Sequence, residues 1–180
     1  MLIALLVVVA AIAALLARAA MQAPTFRIER ATRIAAPVPR IAALIDDFHA
    51  WPSWSPWEKL DPALKRTYSG PASGRGAVYE WSGNGKAGAG RMEITAETVD
   101  ANRGAITLRL DFLKPFKASN TAEFLMTPGG DATELRWAMF GPRPFISKLM
   151  GMFLDIDNMV GKDFEAGLAA LKREAEQVAA

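Results

Sequence analysis

The chain has 180 residues, a length that suits one domain, and 51% of them are hydrophobic, an excess over the usual globular composition. The 21 basic and 19 acidic residues leave a net charge of +2 and are scattered along the chain, which argues against a nucleic-acid-binding surface. The sequence has no cysteine and a single histidine, so it excludes disulfides and thiolate metal sites and offers little for an imidazole site. We therefore expect no metal, no cofactor and no nucleic-acid partner.

The chain begins with an apolar segment. Leu2–Ala17 carries no charge, and a helix extended over Leu2–Met21 would be long enough to span a bilayer. Arg18 would then lie near the end of that helix, where its side chain can reach the membrane interface. We interpret this segment as the single-pass anchor of a membrane protein.

This interpretation divides the chain into a transmembrane anchor, residues 1–23, and a folded domain, residues 24–180. We expect the domain to fold without the anchor and to be a monomer, since Leu2–Leu16 has no polar face with which to pack as an amphipathic surface helix. The alternative is a cleaved signal peptide, because Ala17-Arg18-Ala19 matches the small-x-small pattern of a cleavage site. The domain would then be exported rather than anchored.

The folded domain is predicted to begin with a strand and a helix. Thr25–Ile34 has the alternating pattern of a strand. Pro37 and Pro39 then start a helix over Val38–Asp47, since a proline is tolerated in the first turn, where its missing amide hydrogen costs little.

The next stretch, Asp47–Pro62, is here called the tryptophan segment. It contains Trp51, Trp54 and Trp57 at a spacing of three, and its prolines prevent a long helix. Aromatic side chains bury large areas with few rotamers, so such a segment can either fill a core or form the wall or lid of a cavity. We expect Trp54 and Trp57 to gate a cavity.

Six more strands follow, each indicated by apolar residues at every second position or by its place between turns. They are Leu64–Ser69, Gly74–Ser82, Arg91–Val99, Ala105–Leu113, Lys117–Thr127 and Thr133–Phe140. The connections between them are short and rich in glycine, asparagine and proline. Such connections predict an antiparallel arrangement of successive strands.

The chain is predicted to close with one long helix, from about Phe145 to Gln177. Its apolar residues recur at steps of three or four and form a single stripe. The stripe comprises Leu149, Phe153, Ile156, Val160, Phe164, Leu168, Leu171, Ala175 and Val178. The predicted fold is therefore α+β: a curved antiparallel seven-stranded sheet wrapped on a long C-terminal helix, plus the N-terminal hydrophobic helix.

This order of elements, over about Thr25–Ala180, resembles the START-like, or SRPBCC, superfamily and its helix-grip fold. The most telling stretches are Ile34-Ala35-Ala36-Pro37, Trp54-Ser55-Pro56-Trp57, Tyr79–Asn84 and Gly161–Leu168. They are similar to the membrane-anchored bacterial branch labelled polyketide cyclase/dehydrase-like. The superfamily includes lipid carriers, hormone receptors, cyclases and co-chaperone domains, so the resemblance implies the fold more strongly than the activity.

The leading functional hypothesis is a membrane-anchored domain that binds a hydrophobic small molecule or lipid between the sheet and the C-terminal helix. The tryptophans would form the entrance and the remaining residues would line the cavity. The candidate ligand-binding residues are Trp51, Trp54, Trp57, Tyr79, Trp81, Asn120, Phe124 and Trp137. Asn120 is included because it shares a strand face with Phe124, and a buried amide needs hydrogen-bond partners.

Two alternatives remain open. The first is an enzyme of cyclase or dehydratase type, in which His49 or Tyr79 would be the acid–base group, although His49 could equally be an exposed loop residue. The second is a partner-binding module whose cavity is filled by its own side chains. The volume of the cavity separates the second alternative from the others, and a titratable group in its wall is expected of an enzyme.

Overall fold

The computed structural model describes residues 1–177, so Val178, predicted on the C-terminal stripe, lies outside the described residues. The helices are α1 (Leu2–Ala20), α2 (Val38–Asp46), α3 (Trp51–Trp54), α4 (Phe145–Met150) and α5 (Ile156–Glu176). Two 3-10 turns, Phe48–Ala50 and Pro56–Lys59, flank α3. The strands are β1 (Thr25–Ile34), β2 (Lys65–Ser69), β3 (Val78–Ser82), β4 (Ala89–Val99), β5 (Gly104–Lys114), β6 (Ala118–Gly129) and β7 (Ala132–Pro142).

The seven strands form one antiparallel sheet in the order β1-β7-β6-β5-β4-β3-β2. Strands β2 to β7 are each paired with their neighbours in sequence, and β1 pairs with β7 along its whole length. The alternating pattern seen in the sequence decides which side chains face the core: Ile106 and Leu108 of β5 are fully buried, whereas Arg109 is exposed. The predicted helix-grip fold and its seven-stranded sheet are confirmed.

Helices α2 and α5 cover the buried face of the sheet. In α5, Phe164, Leu168, Leu171 and Ala175 recur at steps of three or four and are all buried in the main core. Arg30 of β1 forms ion pairs with two residues on the exposed side of α5. The distances are 3.0 Å to the Asp157 carboxylate and 2.9 Å to the Glu165 carboxylate. The core therefore lies between the sheet on one side and the two helices on the other.

The C-terminal helix begins later than predicted. Instead of one helix from Phe145, the chain forms the short helix α4, an irregular connection and then α5. Gly151 ends α4 because glycine is a poor helix former, and the side chain of Asp155 starts α5 by accepting a hydrogen bond from the Asn158 backbone amide at 3.0 Å. Phe153, predicted on the buried stripe, lies in the connection and is exposed.

Helix α1 is the one helix among residues 1–177 that is long and apolar enough to cross a membrane, although a signal sequence would meet the same criteria. Almost all of it is exposed, with Ala19 buried where the end of α1 contacts α4. The independence of residues 24–180 from this helix stays a prediction.

Candidate ligand-binding cavity

The tryptophan segment is held against the end of α2 by its own indole groups. Pro52 and Pro56 lie in the first turn of α3 and of the following 3-10 turn, where proline fits without loss of a hydrogen bond. The Trp51 Nε1 donates to the Ile45 carbonyl at 2.9 Å, and the Trp54 Nε1 donates to the Leu44 carbonyl at 2.7 Å. These two bonds fix the direction in which each ring points.

An inner cavity of about 330 Å³ lies between this segment, the sheet and α5. Its wall is mostly apolar and includes Met92, Leu110 and Ala122 from three successive strands and Phe164 from α5. Five of the eight predicted ligand-binding residues line it: Trp51, Trp57, Tyr79, Trp81 and Trp137.

The other three predicted residues lie elsewhere. Trp54 and Phe124 are 1% and 0% exposed and pack in the core, with their rings 6.3 Å apart, and neither lines the inner cavity. The indole bond to the Leu44 carbonyl turns Trp54 towards α2. Asn120 lines a different space, the outer cavity.

The outer cavity, about 1,000 Å³, is open and lies at the end of the sheet where β5 joins β6 and β7 runs into α4. Phe112, Met139 and Val160 line both cavities, so these three side chains form the boundary between them. Access to the inner cavity from this side therefore passes over apolar groups. Asn120 packs against Gly141, where a Cβ atom would collide with its amide.

A stack of aromatic rings forms the back of the inner cavity. The Trp137 ring is nearly parallel to Phe164 of α5, with centroids 4.2 Å apart, and stacks on Phe124 at 4.9 Å. Gly167 lets α5 approach this stack, because a Cβ atom there would lie 2.9 Å from the Trp137 ring. The Trp137 Nε1 is buried, and among residues 1–177 it has no hydrogen-bond partner.

A second row of rings runs from the turn at His49 across β2 and β3 to β5. His49 stacks on Tyr68 at 4.1 Å, Tyr68 on Tyr79 at 5.3 Å, and Tyr79 lies 6.0 Å from Trp81. Trp81 meets the edge of Phe112 at 6.0 Å. The row therefore leads from the protein surface at His49, along the inner cavity, to the boundary with the outer cavity.

The polar part of the inner cavity is a cluster of Glu58, Tyr79 and Arg66. The Glu58 side chain is 5% exposed; its Oε1 accepts from the Tyr79 hydroxyl at 2.5 Å, and its Oε2 accepts from Arg66 Nε at 2.7 Å. Burial, and then the hydrogen bond to Glu58, raise the pKa of the Tyr79 phenol, so it stays protonated at neutral pH. The charge of Glu58 is thus compensated by Arg66.

Glu58 and Arg66 did not emerge from the sequence analysis. Glu58 precedes a lysine in a polar part of the tryptophan segment and has the appearance of a solvent-exposed residue. The signal that could have found it is indirect: a buried tyrosine requires a hydrogen-bond partner for its hydroxyl.

His49 lies on the outside of the domain. Its side chain is 55% exposed, and its Nδ1 is 2.8 Å from Asp47 Oδ1. It lines neither of the two cavities. Of the two candidate acid–base groups, the structure therefore places Tyr79 at the inner cavity and His49 away from it.

Residues 25–176 match the family model described as polyketide cyclase / dehydrase and lipid transport. The chain belongs to this family. The match covers the whole sheet and α5 and confirms the resemblance to SRPBCC proteins. A search of the curated proteins finds no match to this member of the polyketide cyclase / dehydrase and lipid transport family.

Solved structures share the fold of this family member. A hypothetical protein from Helicobacter pylori has a TM-score of 0.64 and 7% identity, covering 83% of this chain and 88% of its own. The Zhui aromatase/cyclase from Streptomyces sp. R1128 has a TM-score of 0.58 and 17% identity, covering 85% and 94%. The di-domain ARO/CYC BexL from the BE-7585A biosynthetic pathway has a TM-score of 0.61 and 13% identity, covering 89% and 53%. At these identities the likeness shows the fold alone.

Proposed function

We propose that this protein is a membrane-anchored domain that binds a hydrophobic small molecule or lipid in the inner cavity. The observation that carries the proposal is a mostly apolar space of about 330 Å³ between sheet and α5. Ligand pockets range from about 300 to 1,000 Å³, so the volume is enough for a small apolar molecule or part of a larger one. It also argues against the alternative of a cavity filled by its own side chains.

The wall favours a ligand that is apolar over most of its length and has one polar group. The Tyr79 hydroxyl gives its hydrogen to Glu58, but the phenolic oxygen can still accept one. The ligand end beside Tyr79 would therefore be a hydroxyl or another donor. Trp51, Trp57, Trp81 and Trp137 would contact the apolar remainder.

The membrane anchor is α1, which is apolar over Leu2–Ala17, carries Arg18 in its last turn and is almost entirely exposed. A helix of 19 residues is about 28 Å long, close to the thickness of the hydrocarbon core. It lies outside the residues matched by the family model, which begin at Thr25. A cleaved signal sequence is the competing assignment, and the N-terminal sequence of the mature protein distinguishes the two.

A cyclase or dehydratase activity is the second candidate, and one observation favours it: Glu58 and Tyr79 are titratable groups at the wall of the inner cavity. Binding is preferred because Glu58 is hydrogen-bonded to both Tyr79 and Arg66, and the rest of the wall is mostly apolar.

Binding is tested by filling the inner cavity with a larger side chain and measuring whether the protein still carries a bound apolar molecule. Ala122→Phe adds a ring to its wall, and Ala101→Phe adds the same ring at an exposed turn. We expect native mass spectrometry of the full chain, released from detergent, to detect an apolar adduct on the wild type and on Ala101→Phe, and to lose it on Ala122→Phe. Absence of any adduct on the wild type, or equal adducts on both variants, would contradict the proposal.

A further inference from the structure

One end of the domain combines three features that the ligand-binding site does not explain. At this end β1 begins and β7 ends, β5 turns into β6, and the outer cavity opens. The Arg143 backbone amide donates to the Pro24 carbonyl at 2.7 Å, which joins the start of β1 to the segment that leads into α4. The last turn of α1 lies against α4, where Ala19 is buried.

The first feature is a concentration of exposed apolar side chains. After Met21, the described residues include nine large apolar side chains that are exposed, and all except Leu60 lie in Leu113–Phe116 or Phe145–Met159. Phe116 and Phe153 are 77% and 71% exposed and line the mouth of the outer cavity. Apolar side chains exposed together in this way mark an interaction surface. We call these two segments the rim.

The second feature is positive charge without a counter-ion. Lys114, Lys117 and Arg143 line the outer cavity and Lys148 lies on α4, and none of them forms an ion pair within the part of the chain that the structure describes. Of the two acidic residues that line the outer cavity, Asp157 pairs with Arg30 and Asp155 caps α5 without an ion pair in the described residues, so the cations outnumber the unpaired carboxylate. Such a surface fits the anionic headgroups of a lipid bilayer.

The third feature is the length of the connection to α1. Only Met21–Pro24 separate the end of α1 from β1, and four residues span at most about 14 Å. If α1 crosses a bilayer, its end at Ala20 lies at the membrane surface, and the rim is held beside it. An apolar surface bordered by cations is the pattern that inserts into the interface between headgroups and acyl chains.

We propose that the rim docks on the bilayer that holds α1, so that the outer cavity opens directly into the lipid. The proposal rests on the membrane anchoring proposed above and adds a route: an apolar ligand reaches the inner cavity over Phe112, Met139 and Val160 without entering water. The outer cavity is then a passage from the membrane and the inner cavity is the binding site.

The absence of cysteine allows a direct test with the full chain in vesicles of phosphatidylcholine and phosphatidylglycerol. Single cysteines carrying an environment-sensitive fluorophore are placed at Ala118 beside the rim, at Asn102 in the turn at the opposite end of β5, and at Ala10 within α1. We expect nitroxide-labelled lipid to quench the probes at positions 118 and 10 several-fold more than the probe at position 102. The probe at position 118 should also emit at shorter wavelength.

Two charge variants complete the test. Phe116→Asp combined with Phe153→Asp should reduce quenching at position 118 to the level of position 102, whereas Ala101→Asp should leave it unchanged; a melting curve of each variant confirms folding.

Vesicles without phosphatidylglycerol should give less quenching at position 118, and equal quenching would overturn the role given to the cations. A quenched probe at position 10 with none at position 118 overturns docking and leaves anchoring standing, whereas an unquenched probe at position 10 overturns both.

Discussion

The two cavities share three side chains but differ in almost every other respect. The inner cavity is lined mostly by aromatic and aliphatic side chains, and the buried carboxylate in its wall, Glu58, is compensated by Arg66. The outer cavity is larger, is bordered by exposed phenylalanines, and carries cations that form no ion pair within residues 1–177. A mostly apolar space with a compensated charge suits the selection of a ligand by shape, while a larger space bordered by unpaired cations suits contact with a surface. On the two proposals made above, selection and access are assigned to separate regions.

The largest expected effect separates the two roles of the tryptophan segment. Trp54→Ala should lower the free energy of unfolding by about 3–5 kcal/mol, because it removes a fully buried ring and its hydrogen bond to Leu44. Trp57→Ala, at the cavity wall, should cost less stability but should remove the apolar adduct seen by native mass spectrometry. Denaturant midpoints of both variants give the stabilities. Equal denaturant midpoints for Trp54→Ala and Trp57→Ala would contradict the assignment of Trp54 to the core and Trp57 to the cavity wall.

A smaller effect is expected from the polar cluster of the inner cavity. Glu58→Gln keeps a partner for Tyr79 but removes the charge opposite Arg66, and should cost about 1–3 kcal/mol of unfolding free energy. Glu134→Gln is the matched control, since Glu134 pairs with Arg136 at the exposed surface, and we expect a change within about 0.5 kcal/mol. If the two variants lose the same stability by chemical denaturation, Glu58 is not the compensated, buried group described here.

The smallest expected effect is a change in stability that depends on pH, and it comes from Asp46, which lines neither cavity. Burial, and then the charge of Glu97, raise the pKa of Asp46 to about 6. A carboxyl whose pKa is higher in the folded than in the unfolded protein destabilises the fold at pH values above the folded-state pKa. This loss of stability disappears as the pH falls from about 6 towards the ordinary pKa of an aspartate. Since Asp46 is only half-buried, Asp46→Asn should stabilise the protein by about 1 kcal/mol at pH 7.5 and by nothing near pH 4.

Asp131→Asn, in the exposed β6–β7 turn, is the matched control, and its stability is compared with that of Asp46→Asn at each pH. Thermal melts at both pH values measure the effect. A stabilisation of Asp46→Asn that is the same at pH 4 and pH 7.5 would exclude titration of Asp46 as its cause.

Much of the fold could be predicted from the sequence, because alternation in strands such as β5 follows directly from one buried face. The break before α5 could not be placed, since Gly151 inside a helical pattern is compatible with either a continuous or an interrupted helix.

The cavity was harder to predict than the sheet. The spacing of Trp51, Trp54 and Trp57 does not tell which ring faces the core, because this depends on the turns between them and on the carbonyl groups that their indoles reach. Glu58 was missed for a related reason: a charged residue is buried only when a partner is brought to it, and Arg66 comes from β2, outside the tryptophan segment.

The row of rings from His49 to Phe112 gives the protein an optical property of its own. Trp81, one of four tryptophans at the inner cavity, lies 6.0 Å from Tyr79, which in turn lies 5.3 Å from Tyr68, so excitation can pass from the tyrosines to its indole. A molecule entering the cavity replaces the surroundings of this indole and so changes the colour and lifetime of its emission. Occupancy can therefore be followed in real time by ultraviolet fluorescence, with no added dye and no change to the chain.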